Sequence, residues 1–298
     1  MKPETEQTYK ERMLRVLVHI QERLDEALTL EELARVAHFS PYHFHRVFRG
    51  MVGESVAEHT RRLRLERAAL RLKSGDQPIT QLAFEAGYEA HEAFTRAFGA
   101  MFGRSPSDFR KAHQAVPLPQ AACGVHFAPD ATLDDFEPLA GDHPMNVRIE
   151  HRPATRVAFM RHTGPYDQVG ATWGRLCGWA GPRGLLGPQT VFLALCHDDP
   201  EVTPPDRIRY DACLTVGDDF QPQGDIGVQT IPEGDYAMTV HEGPYETLKN
   251  TYAALCGQWL PTANRELRAA PSIEVYLNDP NATPPQDLRT EVHVPLEP

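Results

Sequence analysis

The hydrophobic positions in the first third of the chain recur at helical spacing. Residues 10–26 place apolar side chains three or four positions apart, which indicates a helix with one apolar face. A second helix is predicted after Thr29, where Glu32 completes the pattern of a capping box. A third begins at Ser40, a natural N-cap, with Pro41 at the first helical position. Two short helices joined by a tight turn predict a helix-turn-helix unit.

This unit is repeated about 49 residues further along the chain. Residues 30–55, LEELARVAHFSPYHFHRVFRGMVGES, align with residues 79–105, ITQLAFEAGYEAHEAFTRAFGAMFGRS, after a one-residue insertion. Gly87 stands in the second turn, where glycine can adopt a positive φ without steric cost. Between the copies, residues 55–73 predict a long helix rich in arginine, a pattern typical of a solvated face that also suits a helix beside phosphates.

Apolar and polar residues of the second half alternate at strand spacing, and this pattern is also written twice. The stretch DDPEVTPPDRIRYDACLTV, residues 198–216, returns 80 residues later as NDPNATPPQDLRTEVHVPL. Upstream, His162 and His241 begin matching His-x-Gly-Pro-Tyr segments, which we interpret as turns rather than metal motifs because they lack ligand spacing. Each copy predicts a strand (156–162 or 235–241), a helix (166–178 or 245–257), a strand (190–196 or 272–277) and a strand (208–216 or 288–295).

Two β-α-β-β repeats predict an α+β domain with a pseudo-two-fold axis. A seam between two such units is a common place for a ligand. The fold prediction is therefore an all-α region with two helix-turn-helix units, followed by this α+β domain.

The composition of the 298-residue chain is that of a soluble globular protein, with 41% hydrophobic and 24% charged residues. The sequence has neither an apolar run of about 18 residues, as a membrane helix needs, nor a signal peptide at its polar N-terminus. Five cysteines without a C-x-x-C pair argue against a disulfide framework or a zinc cluster. We expect a cytoplasmic protein without a cofactor or a bound metal.

Charge divides the chain into two unlike halves. Residues 1–113 carry 18 Lys and Arg against 16 Asp and Glu, whereas residues 114–298 carry 12 against 25. The first half could face a polyanion that the second would repel, although charge can also simply follow fold and solubility. Residues 114–145 hold five prolines and no sustained period, which predicts a linker with at most one short strand. The predicted domains are therefore 8–113 and 146–298.

The two helix-turn-helix units, which end in GRSPSDFR, resemble the DNA-binding domain of the AraC/XylS family of transcription regulators. The resemblance implies that two recognition helices enter successive major grooves of double-stranded promoter DNA, and it implies activation, with RNA polymerase as a partner. The residues that we expect to contact DNA lie on these helices and are Tyr42, His45, Arg46, His91, Glu92, Thr95 and Arg96. Arg46 and Arg96 could read guanine, contact a phosphate or bond a neighbouring helix.

The second half resembles the GyrI-like effector-binding domain, as HTGPY, HEGPYETL and the final VYLNDPNATPPQDLRTEVHVPL indicate. This resemblance implies a cleft for a small, often lipophilic or cationic aromatic effector, with an acid of the last strand facing it. That acid is Glu291, and its repeat equivalent is Asp211. From the pattern alone, Glu291 and His293 share one face of a strand, which an exposed polar face would also explain.

Aromatic residues near the predicted strands and helices supply the other candidate ligand contacts. They are Trp173, Phe192, Tyr210, Tyr252 and Tyr276. Rings around a buried carboxylate would suit a cation, although aromatics at this spacing also form ordinary cores.

The leading hypothesis is therefore a regulator of transcription controlled by a small molecule. The alternatives are a small-molecule hydrolase, in which Glu291 acts as general base with Tyr276 or His293, and a protein that sequesters drugs.

Overall fold

The computed structural model describes residues 3–112, 118–140 and 145–298. The first range is helical and consists of α1 (Pro3–Glu22), α2 (Leu30–Ala37), α3 (Pro41–Val52), α4 (Val56–Ser74), α5 (Ile79–Glu85), α6 (His91–Phe102) and α7 (Pro106–Lys111). The two helix-turn-helix units are α2–α3 and α5–α6, with α4 between them, which confirms the all-α prediction for this part of the chain. None of the helices in the described residues is long and apolar enough to cross a membrane.

Both units turn through a residue with left-handed backbone. Gly87 has a φ of +81°, as its position in the turn predicted. At the equivalent place in the first unit His38 adopts a φ of 55°. The same turn is thus formed by glycine in one unit and by histidine in the other. Glycine adopts a positive φ at lower steric cost, because a residue with a Cβ is strained in left-handed backbone.

The two helix-turn-helix units differ in what they pack against. The second has its own core, in which Phe94 and Phe98 pack with neighbours from α4, α5 and α7. The first shares one core with the C-terminal half, because Phe44 belongs to the same buried cluster as Tyr252 and Val292. The first unit and the C-terminal domain are thus joined by apolar packing, whereas the second unit is not part of that cluster.

The predicted linker lies across the first helix-turn-helix unit. Its described residues, 118–140, form neither helix nor strand. Val125 and Phe136 are nevertheless buried in the shared core. The Glu66 carboxylate accepts a hydrogen bond of 2.8 Å from the backbone amide of Phe127. This segment is therefore fixed by packing and side-chain hydrogen bonds rather than by regular secondary structure.

The C-terminal range forms an antiparallel sheet with helices on one face. Its strands are β1 (Arg148–Arg152), β2 (Thr155–Thr163), β3 (Phe192–Cys196), β4 (Arg209–Thr215), β5 (Gly227–Ile231), β6 (Gly234–Glu242), β7 (Ser272–Tyr276) and β8 (Arg289–Pro295), in the order β1-β6-β8-β7-β3-β4-β2-β5. Its main helices are α8 (Val169–Ala180) and α9 (Leu248–Ala253), and α9 continues as a π-helical segment, Ala254–Trp259, and a last α-helical turn, Leu260–Thr262. The central pair, β3 and β7, relates the two repeats, which confirms the predicted α+β fold with internal symmetry.

The repeats also exchange a strand that the sequence pattern did not predict. β1 precedes the first repeat but pairs with β6 of the second, and β5 precedes the second but pairs with β2 of the first. β1 reads RIEHR and is mostly exposed, so it lacks the apolar alternation by which a strand is recognised. The β3–β7 pair joins the two repeats into one sheet, and the exchange adds a strand to each of its edges.

The His-Gly-Pro-Tyr turns connect each first strand to its helix. His162 Nε2 donates to the carbonyl of Pro165 at 3.0 Å, while Nδ1 accepts from the Thr172 hydroxyl at 3.3 Å. His241 makes the equivalent bonds with Pro244 and Thr251. Both imidazoles therefore hold a turn against a helix, which agrees with the interpretation of these segments as turns.

Two buried histidines are kept neutral by the fold. His43 Nε2 donates to the carbonyl of Arg268 at 3.0 Å, and burial, with the nearby charge of Arg46, lowers the pKa of His43 to about 3. Burial and the charges of Arg152 and Arg148 likewise lower the pKa of His293 to about 3. The unfolded chain therefore binds protons near pH 6 that the folded chain does not bind.

We expect the free energy of unfolding to decrease as the pH falls from 7 to 5. Each of these histidines has a folded pKa below the ordinary value of about 6.5, so stability is lost as the unfolded form is protonated, by about 2 kcal/mol per histidine over this interval. Chemical denaturation at both pH values measures the difference. His43→Gln and His293→Gln should each reduce it, whereas His151→Gln, at an exposed histidine, should not. An unchanged pH dependence in both buried variants would contradict the expectation.

Candidate DNA-reading helices and effector groove

Aromatic side chains cluster on the face of the sheet that carries α8 and α9, next to β3 and β7. Ala194 and Cys196 of β3 pack in one cluster with Leu176 of α8. In the antiparallel register Ala194 pairs with Glu274, and paired residues point to the same face. Glu274 and its neighbours two positions away on β7 therefore also face the helices.

Glu274 lies at the end of a chain of hydrogen bonds among aromatic side chains. Tyr252 and Tyr276 donate to its two carboxylate oxygens at 3.0 Å each. Trp173 Nε1 donates to the Tyr210 hydroxyl, which is 2.8 Å from that of Tyr276. Because Tyr276 donates to Glu274, Tyr210 must donate to Tyr276. Burial and the adjacent Glu274 raise the pKa of Tyr252 well above its usual value, so its hydroxyl stays a donor.

The aromatic groove, as we name it, is the set of side chains around this carboxylate. Its members are Tyr166, Trp173, Phe192, Tyr210, Tyr245, Tyr252, Glu274 and Tyr276. The structure brings together all five aromatics proposed from the sequence. It adds Tyr166 and Tyr245, whose rings meet Tyr210 and Tyr276 edge-on at 5.7 and 5.8 Å between centroids.

The acid of the groove is one that sequence reasoning missed. Glu274 is only 7% exposed. It is the one charged residue of the predicted strand 272–277, where the equivalent position of the first repeat holds Ala194. A charge inside an apolar strand, at a position that its repeat fills with alanine, was the available signal.

Glu291 and Asp211 do not lie among the rings. They occupy odd positions of β8 and β4, whereas Tyr210 and Thr290 point toward the helices, so both acids face the opposite side of the sheet. Glu291 contacts Arg148 at 2.5 Å and lines a cavity of about 660 Å³ at the edge of β6, which Asn250 of α9 and Gln258 of the π-helical segment also line. The expectation of one cleft holding both the rings and these acids is therefore not met, and ligand contact at either acid stays a prediction.

Asp211 is fully buried and already has three donors. Arg161 contacts both of its oxygens at 2.7 and 2.8 Å, and His197 and Gln229 bond it at 2.9 and 3.0 Å. Burial alone would raise the pKa of this carboxyl, but these hydrogen bonds hold it well below its usual range. Asp211 is thus an ion-paired element of the opposite face.

The general-base arrangement considered for a hydrolase forms only in part. His293 Nε2 donates to Glu291 at 3.0 Å, while its Nδ1 accepts from Arg152 at 2.7 Å. Tyr276 faces the aromatic groove on the other side of the sheet. Glu291 and Tyr276 therefore cannot act on the same substrate atom.

The second recognition helix presents three of its four predicted DNA contacts to solvent. His91, Glu92 and Arg96 are exposed on α6, whereas Thr95 is half-buried and its hydroxyl oxygen is inaccessible to solvent. The helix is anchored from below by Phe94 and Phe98. Its outer face is therefore free of the C-terminal domain and available for a DNA groove.

The first recognition helix has its predicted contacts turned into the protein. His45 and Arg46 are 1% and 8% exposed, and the side chain of Tyr42 lies outside the described residues. His45 Nδ1 lies 3.0 Å from Asp199 Oδ2, and Arg46 donates to the Ser272 hydroxyl at 2.6 Å. In this conformation these two side chains bond the C-terminal domain, so contact with DNA requires α3 to leave it.

The ligand atoms of His45, Asp199 and Glu201 lie within 4.8 Å of one another, which is the spacing of a metal site. Glu201, however, is contacted by Arg49 at 2.8 Å and by Lys249 at 3.3 Å. Burial would raise the pKa of Asp199, but the His45 hydrogen bond and the charge of Arg46 lower it. Basic side chains thus already balance the acids of this cluster.

Comparison with known proteins defines the class of protein. A GyrI-like small molecule binding domain model matches residues 145–297, and a helix-turn-helix domain model matches residues 33–112. The right origin-binding protein of Escherichia coli K12 is 24% identical over 297 residues, which cover 94% of this chain and 96% of that protein. The probable transcriptional regulator YgiV of the same strain is 28% identical over 155 residues, 51% of this chain and 96% of its own.

Among solved structures, the EcmrR C-terminal domain is 22% identical with a TM-score of 0.42, covering 51% of this chain and 98% of its own. The sequence matches, together with the fold, define a DNA-binding transcription regulator with a small-molecule binding domain. The chain belongs to the family of GyrI-like small-molecule binding domains, joined here to an AraC-type helix-turn-helix region.

We expect Arg96→Ala to weaken binding of the full chain to a duplex selected from a random DNA library. The exposed guanidinium can pair with guanine, and loss of such a pair costs about 1–3 kcal/mol and relaxes specificity at one base pair. Fluorescence anisotropy with the selected duplex and its single-base variants measures both effects. Arg175→Ala, at an exposed arginine of α8, is the control. Equal affinities of Arg96→Ala and the control would contradict this role.

Proposed function

We propose that the chain is a transcription activator controlled by a lipophilic aromatic cation that binds in the aromatic groove. The observation that carries the proposal is the nearly buried Glu274 carboxylate, held by two tyrosine hydroxyls beneath a set of rings. A cation stabilises a carboxylate that is buried among apolar groups. Aromatic faces attract a cation even after it has lost its hydration shell.

The chemistry of the groove favours this class of ligand over an anion or a neutral metabolite. The tyrosine hydroxyls already direct their protons to Glu274, so they offer few donors to an anionic ligand. The ring faces contribute about 0.5–2 kcal/mol each to a desolvated cation. Charge from Glu274 and apolar area from the rings together favour a large, delocalised cation.

Methyltriphenylphosphonium is a suitable probe, because triphenylphosphine oxide has the same rings without the charge. We expect the full chain to bind the cation more tightly than the neutral compound. Glu274→Gln should lower the cation's affinity by at least about tenfold, equivalent to about 1.4 kcal/mol, and leave the neutral compound unaffected. Isothermal titration calorimetry measures both.

Glu291→Gln is the matched control, because it removes a carboxylate from the opposite face of the same sheet. If the cation binds among the rings and not at Glu291, the affinity of Glu291→Gln for the cation should equal that of the wild type. Loss of binding in Glu291→Gln with retention in Glu274→Gln would transfer the ligand to the other face and reject the aromatic groove as the site.

Activation by the bound protein follows from the resemblance to AraC-type regulators, and RNA polymerase is then a partner. We expect the full chain to increase transcript yield from a template that carries its selected duplex, in a run-off assay with purified bacterial RNA polymerase. Methyltriphenylphosphonium should change that yield. A protein that merely sequesters drugs would bind the cation without altering either DNA affinity or transcript yield.

A further inference from the structure

We propose that the aromatic groove is occupied by a side chain of the protein itself. The Arg46 guanidinium takes the place of a cationic effector and thereby holds the recognition helix α3 away from DNA. This inference rests on the proposed function, because it names the mechanism by which the same groove controls DNA binding.

The face of α3 that packs against the C-terminal domain corresponds to the face that α6, its repeat, presents to solvent. On α6 the outward stripe contains Glu92, Arg96 and Ala100, all exposed. The repeat places Arg46 and Gly50 at the positions of Arg96 and Ala100, and both are buried. The C-terminal domain therefore covers the part of α3 that corresponds to the available DNA-reading face of α6.

Arg46 makes the contacts that a recognised cation would make. Its guanidinium carbon lies 3.8 Å from the centroid of the Tyr252 ring, and Nη1 donates to Ser272 Oγ at 2.6 Å. The hydroxyl of that same ring donates to Glu274. Although burial works against its charge, the neighbouring Tyr252 and Asp199 hold the pKa of Arg46 above its usual range. The guanidinium is thus a buried cation on the face of the Tyr252 ring, and the hydroxyl of that ring bonds Glu274.

The backbones of α3 and the π-helical segment touch at a pair of glycines. A Cβ on Gly50 would lie 2.0 Å from the carbonyl oxygen of Ala253, and a Cβ on Gly257 would lie 2.5 Å from the Gly50 Cα. The second unit has Ala100 at the position of Gly50, so alanine is compatible with the helix-turn-helix fold. Glycine at position 50 is therefore required by docking and not by the recognition helix itself.

Polar contacts around Arg46 complete the docked state. His45 and Arg49, which flank Arg46 on α3, pair with Asp199 and Glu201 of the loop between β3 and β4. An effector that reaches Glu274 and Tyr252 must displace Arg46, and DNA can meet this face of α3 only after the same displacement. A cation that binds only the undocked state therefore shifts the population toward free α3.

Gly50→Ala opposes the packing of α3 against the C-terminal domain without changing any side chain that would contact the cation. In the full chain we expect this variant to bind methyltriphenylphosphonium at least about tenfold more tightly than the wild type, since docking no longer competes. It should also bind the selected duplex more tightly in the absence of any ligand. Arg46→Ala should show the gain in cation affinity without the gain in DNA affinity, because it removes a candidate base contact as well.

Matched controls come from the second unit. Gly99→Ala introduces the same methyl group on α6, where the nearest atom is the Arg104 carbonyl oxygen at 3.9 Å, and should leave cation affinity unchanged. Arg96→Ala should likewise leave cation affinity unchanged. Hydrogen exchange on the wild type adds a direct readout, because the cation should accelerate exchange in residues 41–52 and leave residues 91–102 unaffected.

Wild-type affinities of Gly50→Ala for both the cation and the duplex would overturn the inference. Cation binding that depends on Glu274 but not on Gly50 or Arg46 would overturn the inference and retain the proposed function. If no variant binds the cation, the proposed function and the competition both fail. A gain in DNA affinity by Gly50→Ala would then support only the occlusion of α3.

Discussion

The burial of one guanidinium fixes the first recognition helix against the C-terminal domain, with which it also shares an apolar core. Removing an ionised side chain from water costs several kcal/mol unless its surroundings replace the lost hydration. Arg46 receives that replacement from the Tyr252 ring and the Ser272 hydroxyl, with the charge of Asp199 nearby. Because these residues belong to α9, β7 and the loop after β3, the contact fixes α3 against three elements of the C-terminal domain at once.

Both halves of the chain contain a repeat, but the two copies in each half differ in sequence. These differences allow α3 to dock on the second C-terminal repeat, and they leave α6 exposed. On the sheet side, the repeat replaces Tyr252 by Trp173 and Ser272 by Phe192, which has no hydrogen-bonding group for a guanidinium. On the helix side, the repeat replaces Gly50 by Ala100. Only the first unit can approach closely, and only the second repeat can satisfy its arginine. The second unit therefore stays exposed while the first is held.

Local elements could be predicted from the sequence better than contacts between distant parts of the chain. Local signals predicted the helices, the main strands and the left-handed turn at Gly87, because periodicity and turn chemistry act within a few residues. They also predicted the groove's aromatics. The exchanged strands β1 and β5 were missed, because pairing with a distant unit leaves little pattern in a short exposed strand.

The acid that lies among the rings was not found from the sequence, because a strand's two faces differ by a single residue. Resemblance pointed to Glu291, whereas the register of β7 places Glu274 among the rings. The docking of α3 could not be read from the sequence at all, since His45 and Arg46 are as suitable for DNA as for a protein surface. The packing of Gly50 against Gly257 distinguishes these possibilities in the structure, and that contact joins residues 207 positions apart.

The unequal charge of the two halves gains a physical meaning from this contact. A recognition helix is built to meet phosphates and base edges with basic side chains. Asp199 and Glu201 meet the same helix with carboxylates, and Glu274 lies behind Tyr252, so the acidic domain offers α3 a substitute for a polyanion. DNA, the polyanion that suits the first half, and the cation that we propose for the second half are therefore linked. In the docked state the C-terminal domain takes the place of DNA on α3, and Arg46 takes the place of the cation in the aromatic groove. Binding of DNA or of the cation therefore favours the undocked state, in which both the α3 face and the groove are free.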